Sequence, residues 1–151
     1  SMVAHYPDKT DLVTHMVALA IEELEHFQQV YTLITERNLI LQADERDEYV
    51  NKLRGLIRKP RDEYFLDRLL IAGIIEGRGT ERFEIVANAV TDTRLKEFYM
   101  EFWRAEARHH GLFLRLARNY FAKDMVEARF SFLLDEEARI LESIPLRPAV
   151  H

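Results

Sequence analysis

The 151-residue chain has no cysteine, only 5 glycines and 4 prolines, and no long apolar run. Each absence excludes something. Without cysteine there is no disulfide, thiolate-bound metal or iron–sulfur cluster. Any metal must be held by His and carboxylates, which suit iron, manganese or zinc. Few glycines and prolines leave few places to interrupt a helix. No segment approaches the roughly 18 apolar residues of a membrane-spanning helix. Ser1 to Pro7 lacks the charged start and apolar stretch of a signal peptide, so a cytoplasmic protein without membrane contact is expected. A basic excess is also missing. The 21 Lys and Arg against 26 Asp and Glu give a net charge of −5, which disfavours indiscriminate nucleic-acid binding but allows a local basic patch.

What remains, 48% apolar and 31% charged residues, suffices for one all-α domain over residues 1–151 with a real hydrophobic core. Ser1 to Pro7 reads as the tail of a helix stopped by proline, or as an irregular terminus. Asp8 is placed to cap a helix that runs to about Arg37, with Asn38 as its stop. A short helix is expected from Asp47 to Ile57, closed before Pro60, and a long one from Asp62 to Val90. Asp92 caps the next, to about Phe121, and a last helix spans roughly Val126 to Ile144, ended by Pro145 and Pro148.

Three of these helices carry polar groups where apolar ones belong. Leu12, Met16, Leu19, Glu23, His26, Val30 and Leu33 recur at alternating steps of four and three. So do Leu66, Leu69, Gly73, Glu76, Thr80, Phe83 and Ala87, and so do Leu95, Tyr99, Phe102, Glu106, His109, Phe113 and Leu116. That spacing lines the inward face of a bundled helix. A lone carboxylate there costs several kcal/mol unless it is compensated. Three carboxylates and two imidazoles in one core therefore call for cations. Glu23-x-x-His26 and Glu106-x-x-His109 each place a carboxylate and an imidazole one turn apart on one face. Two such pairs, with Glu76 as a bridging carboxylate, are the donor set of a two-metal site in a four-helix bundle. Glu22 and Glu25 point off the stripe, and His110 is one residue out of phase; His5 and His15 read as surface residues.

Several neighbours leave their roles open. Arg78 or Arg82 can steady a carboxylate by a bidentate bond, or belong to an ordinary ion-pair face. Gly73, Gly77 and Gly79 each cost about 1 kcal/mol against Ala inside a helix, which points to close helix packing, to room for a ligand near the metals, or to simple backbone adjustment. Arg54, Arg58, Lys59 and Arg61 around Pro60 form the densest basic run, suited to phosphates or simply a solvated loop, with Tyr49 and Tyr64 flanking it for stacking on bases.

Three stretches together resemble a known family. Ala20-Ile21-Glu22-Glu23-Leu24-Glu25-His26-Phe27, within Asp11 to Val30, is similar to the second core helix of the MiaE-type tRNA hydroxylases. Ile74-Ile75-Glu76-Gly77-Arg78-Gly79-Thr80-Glu81-Arg82-Phe83 is similar to the third, and Glu106-Ala107-Arg108-His109-His110 to the fourth. The resemblance runs from about residue 1 to 142. It implies a ferritin-like four-helix bundle with an additional C-terminal helix and two non-haem iron ions held by Glu23, His26, Glu76, Glu106 and His109. It implies O2-dependent hydroxylation of the isopentenyl group of 2-methylthio-isopentenyladenosine in tRNA, with electrons from an external reductase. The tRNA would dock on Arg54, Arg58, Lys59 and Arg61. Phe27, Phe83, Phe102 and Phe113 would shield the centre. The family's first core helix, with its own ligand Glu, lies upstream of the match to Ser1; Glu137, on a four-three stripe of its own, is the internal candidate for a further carboxylate. The other readings of the same residues are iron storage, a rubrerythrin-like peroxidase and a metal-free helical interaction domain.

Overall fold

The computed structural model describes residues 2–43 and 45–145, and every regular element among them is an α-helix. The chain divides into two compact units, Ser1–Glu45 and Arg46–His151. Among the described residues no helix is long and apolar enough to cross a membrane. Pro148 lies outside the described residues.

The first unit holds α1 (Met2–His5) and α2 (Thr10–Glu36). The cap expected from Asp8 is not made. The Val13 amide donates to the Lys9 carbonyl, so the ladder begins one residue later, with Lys9 as an N-cap that makes no side-chain bond. The end is as expected: Asn38 takes a left-handed φ of 56°, and the amides of Asn38 and Leu39 turn back to the carbonyls of Thr35 and Ile34. Along α2, Val17, Ile21, Leu24, Phe27 and Tyr31 are exposed, an apolar row offset from the stripe that carries Glu23 and His26.

The second unit holds α3 (Glu48–Gly55), α4 (Arg61–Ala89), α5 (Thr93–Tyr120) and α6 (Lys123–Ser143). Asp47 and Asp92 cap α3 and α5 by accepting from the Val50 and Leu95 amides, each at 2.9 Å. Pro60 precedes α4, where its missing amide costs nothing. The last helix starts at Lys123, three residues before the expected Val126. Residues 90–92 join α4 and α5 into an antiparallel pair whose facing stripes are filled by Leu66, Leu69, Phe83, Phe102, Phe113 and Leu116.

Glycine sets how closely these two helices approach. A Cβ on Gly73 would lie 3.4 Å from the Phe113 Cβ, and one on Gly77 would lie 2.9 Å from the His110 Nδ1. That His110 nitrogen donates to the Gly73 carbonyl at 2.6 Å, so it carries the proton. The open question about these glycines resolves toward close helix packing.

Two buried carboxylates tie the remaining helices to α4. Asp67 is fully buried and accepts from the backbone amide and guanidinium of Arg58 and from the guanidinium of Arg129, at 2.7 to 2.9 Å. Arg129 also donates to the Leu56 carbonyl, so the α3–α4 turn and α6 share one anchor. Burial pushes the Asp67 carboxyl upward, but the bonds from Arg58 and Arg129 outweigh it and hold it below the ordinary carboxylate range. Glu137, also buried, accepts a bidentate pair from Arg78 at 2.9 and 2.8 Å and a bond from the Tyr49 hydroxyl at 2.9 Å. Burial first, and then the Glu137 charge and hydrogen bond, push the Tyr49 phenol far above its usual value.

Removing the carboxylate in Asp67→Ala strands two guanidiniums, one of them largely buried, and is expected to cost about 3 kcal/mol in urea unfolding. Because the folded pKa of Asp67 is depressed, its contribution is present above the unfolded value near about 4 and disappears as pH falls through the folded one. Asp67→Asn should therefore flatten the acid limb of stability against pH; an unchanged limb would contradict the anchor. Gly77→Ala drives its Cβ into the His110 ring and should lose about 1 kcal/mol net despite better helix propensity. Gly111→Ala, with nothing within 4 Å of the new Cβ, should gain about 1 kcal/mol.

Candidate metal centre

The close approach of α4 and α5 brings Glu76, Glu106 and His109 together. Each of the three offers a ligand atom within 4.8 Å of those of the others. Glu106 and His109 are buried and Glu76 is half-buried. The His109 Nδ1 stands 3.7 Å from a Glu76 oxygen. Gly79, one turn beyond Glu76, gives Glu106 its room: a Cβ there would sit 3.4 Å from the Glu106 Oε2. Phe83 and Phe102, 5.5 Å apart between ring centroids, wall the pair on the side away from His109's end of α5; both are buried, as is Phe113.

The donor chemistry fits a divalent transition metal. Two carboxylates this close repel each other in a poorly solvated site, and a cation between them removes that cost. Carboxylate oxygens with an imidazole nitrogen suit iron, manganese or zinc.

Glu23 and His26 form their own pair in the first unit. They lie one turn apart on α2, with the His26 Nδ1 3.7 Å from a Glu23 oxygen and the Nε2 3.9 Å from a Glu22 oxygen. Glu22 thus approaches the imidazole even though it lies off the stripe. Phe27 is 53% exposed.

Other expectations land elsewhere. Glu137 does face inward, as its stripe implies, but it is held by Arg78 and Tyr49 rather than grouped with Glu76, Glu106 and His109. Arg78 does bind a carboxylate bidentately; that carboxylate is Glu137, with Glu81 as a further partner. His110 supports α4 through the Gly73 carbonyl. Arg82 stands 5.5 Å over the ring of Tyr49. Tyr49 is buried and hydrogen-bonded, so it offers no face for stacking on bases. In the basic run, Arg54, Lys59 and Arg61 are exposed, whereas Arg58 is bound to Asp67 and is only partly open to solvent. A cleft of about 320 Å³ among α4, α5 and α6 is lined by Ile74, Gly77, Arg78, His110, Phe130 and Glu137, and does not include the three gathered ligands.

The whole chain, residues 1–151, matches the family model described as tRNA-(MS[2]IO[6]A)-hydroxylase (MiaE). It is similar to the tRNA 2-(methylsulfanyl)-N(6)-isopentenyladenosine(37) hydroxylase of Pseudomonas putida, 36% identical over 120 residues, which is 80% of this chain and 58% of that protein. The Salmonella typhimurium protein of the same name is 33% identical over 132 residues, 87% of this chain and 48% of that protein. The chain thus spans about half the length of the curated relatives it matches. Among solved structures it is similar to "Protein 43 with aldehyde deformylating oxygenase activity from Synechococcus", with a TM-score of 0.91, 35% identity and coverage of 97% of this chain and 73% of that one. The all-α, ferritin-like fold and the match along its full length make the chain a member of the MiaE family.

Proposed function

We propose that the chain is the core of an O2-dependent, non-haem di-iron hydroxylase acting on the isopentenyl side chain of 2-methylthio-isopentenyladenosine in tRNA. The observation that carries this reading is the convergence of Glu76, Glu106 and His109 within 4.8 Å on two packed helices of a MiaE-family chain. The repeated Glu-x-x-His motif supports assigning Glu23 and His26 to the same set of iron ligands. Iron bound there supplies the oxygen-activating chemistry that an unactivated C–H bond requires. The curated relatives' names support tRNA as the partner; O2 and an external reductase complete the proposed reaction.

The chain's own residues have definable tasks. Glu76 and Glu106 provide negative charge that cations held there would neutralise. His109 would offer an imidazole nitrogen to a metal held there. Buried Phe83 and Phe102 on one side of the site and Phe113 on the other would limit water at the site. Lys59 and Arg61, with Arg54, offer exposed cations for tRNA phosphates. Arg58 contributes charge at the edge of that patch while its guanidinium stays tied to Asp67.

Glu106→Ala is expected to abolish stoichiometric iron loading and hydroxylation, read by metal analysis and by mass analysis of nucleosides from reacted tRNA. Full iron and full turnover in that variant would refute the assignment. Chelation of the loaded protein should lower its melting temperature, since a ligand at about 100 times its Kd stabilises by about 2.7 kcal/mol. A melting curve indifferent to chelator would favour a metal-free helical domain.

A further inference from the structure

The inner face of α5 carries Glu106 and His109; its outer face carries a row of arginines. Arg104, Arg108, Arg115 and Arg118 follow one another at steps of four, seven and three, and all four are exposed. At 1.5 Å per residue the row is about 21 Å long. From Phe102 to Asn119 the only acidic residue is Glu106, which is buried, so the outer face is purely cationic over that length. Nearer the start of the helix the same face is acidic, with Glu97 and Glu101.

Helix electrostatics do not account for the row. Cations favour the last turn of a helix, which covers Arg118 and reaches toward Arg115, but Arg104 and Arg108 lie more than two turns further in. Like charges three and four residues apart, Arg104 with Arg108 and Arg115 with Arg118, destabilise a helix rather than support it. Among the described residues neither Arg104 nor Arg118 forms an ion pair. A row that burdens the helix and faces outward suits a polyanion.

The row also has a continuation. Phe65, in the second turn of α4, packs against Tyr120 and Phe121 with ring centroids 5.3 and 5.6 Å apart. The start of α4 therefore lies at the same end of the helix pair as Arg118, so the exposed Lys59 and Arg61 add cations at that end, around the side of α5 from the row. We propose that Arg104, Arg108, Arg115 and Arg118 form, together with Lys59 and Arg61, one phosphate-binding track for the backbone of a structured RNA. The track rests on the tRNA reading above and gives it a docking face.

The test is a fluorescence titration of the full chain with an anticodon stem-loop RNA across a salt series. Arg104→Glu with Arg118→Glu should weaken binding at least tenfold at about 0.1 M salt and reduce the slope of log K against log salt by about two. Arg104→Lys with Arg118→Lys should restore most of the affinity, since phosphate contact along a track needs charge more than fork geometry. Arg46→Glu with Arg139→Glu makes the same change in net charge on exposed residues off α5 and should shift affinity less than about twofold. Equal binding by wild type and the Arg104/Arg118 reversal overturns the track and leaves the hydroxylase reading standing, because the assay involves neither metal nor turnover. Equal loss in the Arg46/Arg139 control also overturns it, reducing the effect to net charge. Wild type that binds no stem-loop at about 50 mM salt overturns the track and the tRNA partner together.

Discussion

Two carboxylates and an imidazole can be held within 4.8 Å of one another only if the helices that carry them cannot drift apart. In this protein that constraint is the glycine-lined contact between α4 and α5. Gly73 accepts the flank of Phe113, Gly77 accepts the ring of His110, and Gly79 accepts Glu106 itself. Each glycine weakens α4 as an isolated helix by about 1 kcal/mol. Their positions, one beside each residue pair that sets the spacing, are what the tertiary contact gains in return. The bond from His110 to the Gly73 carbonyl then fixes the rotation of α5 against α4, and with it the direction in which the neighbouring His109 points.

The rest of the second unit secures α4 from outside. Buried Asp67 and buried Glu137 sit near its beginning and opposite its middle, and each meets guanidinium groups in bidentate geometry. Arg78 is instructive because it lies two residues from Glu76 yet turns to α6. Its bond to Glu137 orients the outer face of α4 while Glu76 takes the inner one. The inward-facing carboxylates of this unit thus meet two kinds of partner. Those that hold helices together face arginine, whose charge is permanent. Glu76 instead faces an imidazole, a group that can give up its proton and bind a metal.

Much of this was legible in the sequence, and the limits are physical. Asp47, Asp92 and Asn38 act within three residues of themselves, so their roles are written locally. The four-three stripes likewise identify which face of each helix turns inward, and with it Glu76, Glu106 and His109. Periodicity does not name partners. Glu137 reads as inward-facing and is so, but its bonds to Arg78 and Tyr49 span 59 and 88 residues, and a stripe carries no such information. The same gap hides the Asp67 anchor, and with it the fact that Arg58 is tied to a buried carboxylate. The α5 arginines were in plain view at helical spacing. They form no dense basic run, because a helix disperses the charges of one face three, four and seven residues apart in sequence.

The placement of charge on α5 also bears on how a nucleoside would reach the centre. Arg108 falls between Glu106 and His109 in sequence but on the opposite side of the helix. A helix with its side chains is about 10–12 Å across. An RNA gripped by its backbone on the outer arginines would therefore keep a stacked base at least that far from Glu106 and His109. If the proposed hydroxylase reading holds, bringing an isopentenyl group inward would require the nucleotide to leave its stack and reach around the edge of α5, the problem that enzymes acting on nucleobases solve by extrusion. A modified base in an unpaired loop resists this least, since it has no pairing energy to give up. On the proposed reading, phosphate contacts outside and a base swung inward would divide the work between two faces of one helix: the outer face would set where the RNA backbone lies, and the inner face which atom comes within reach.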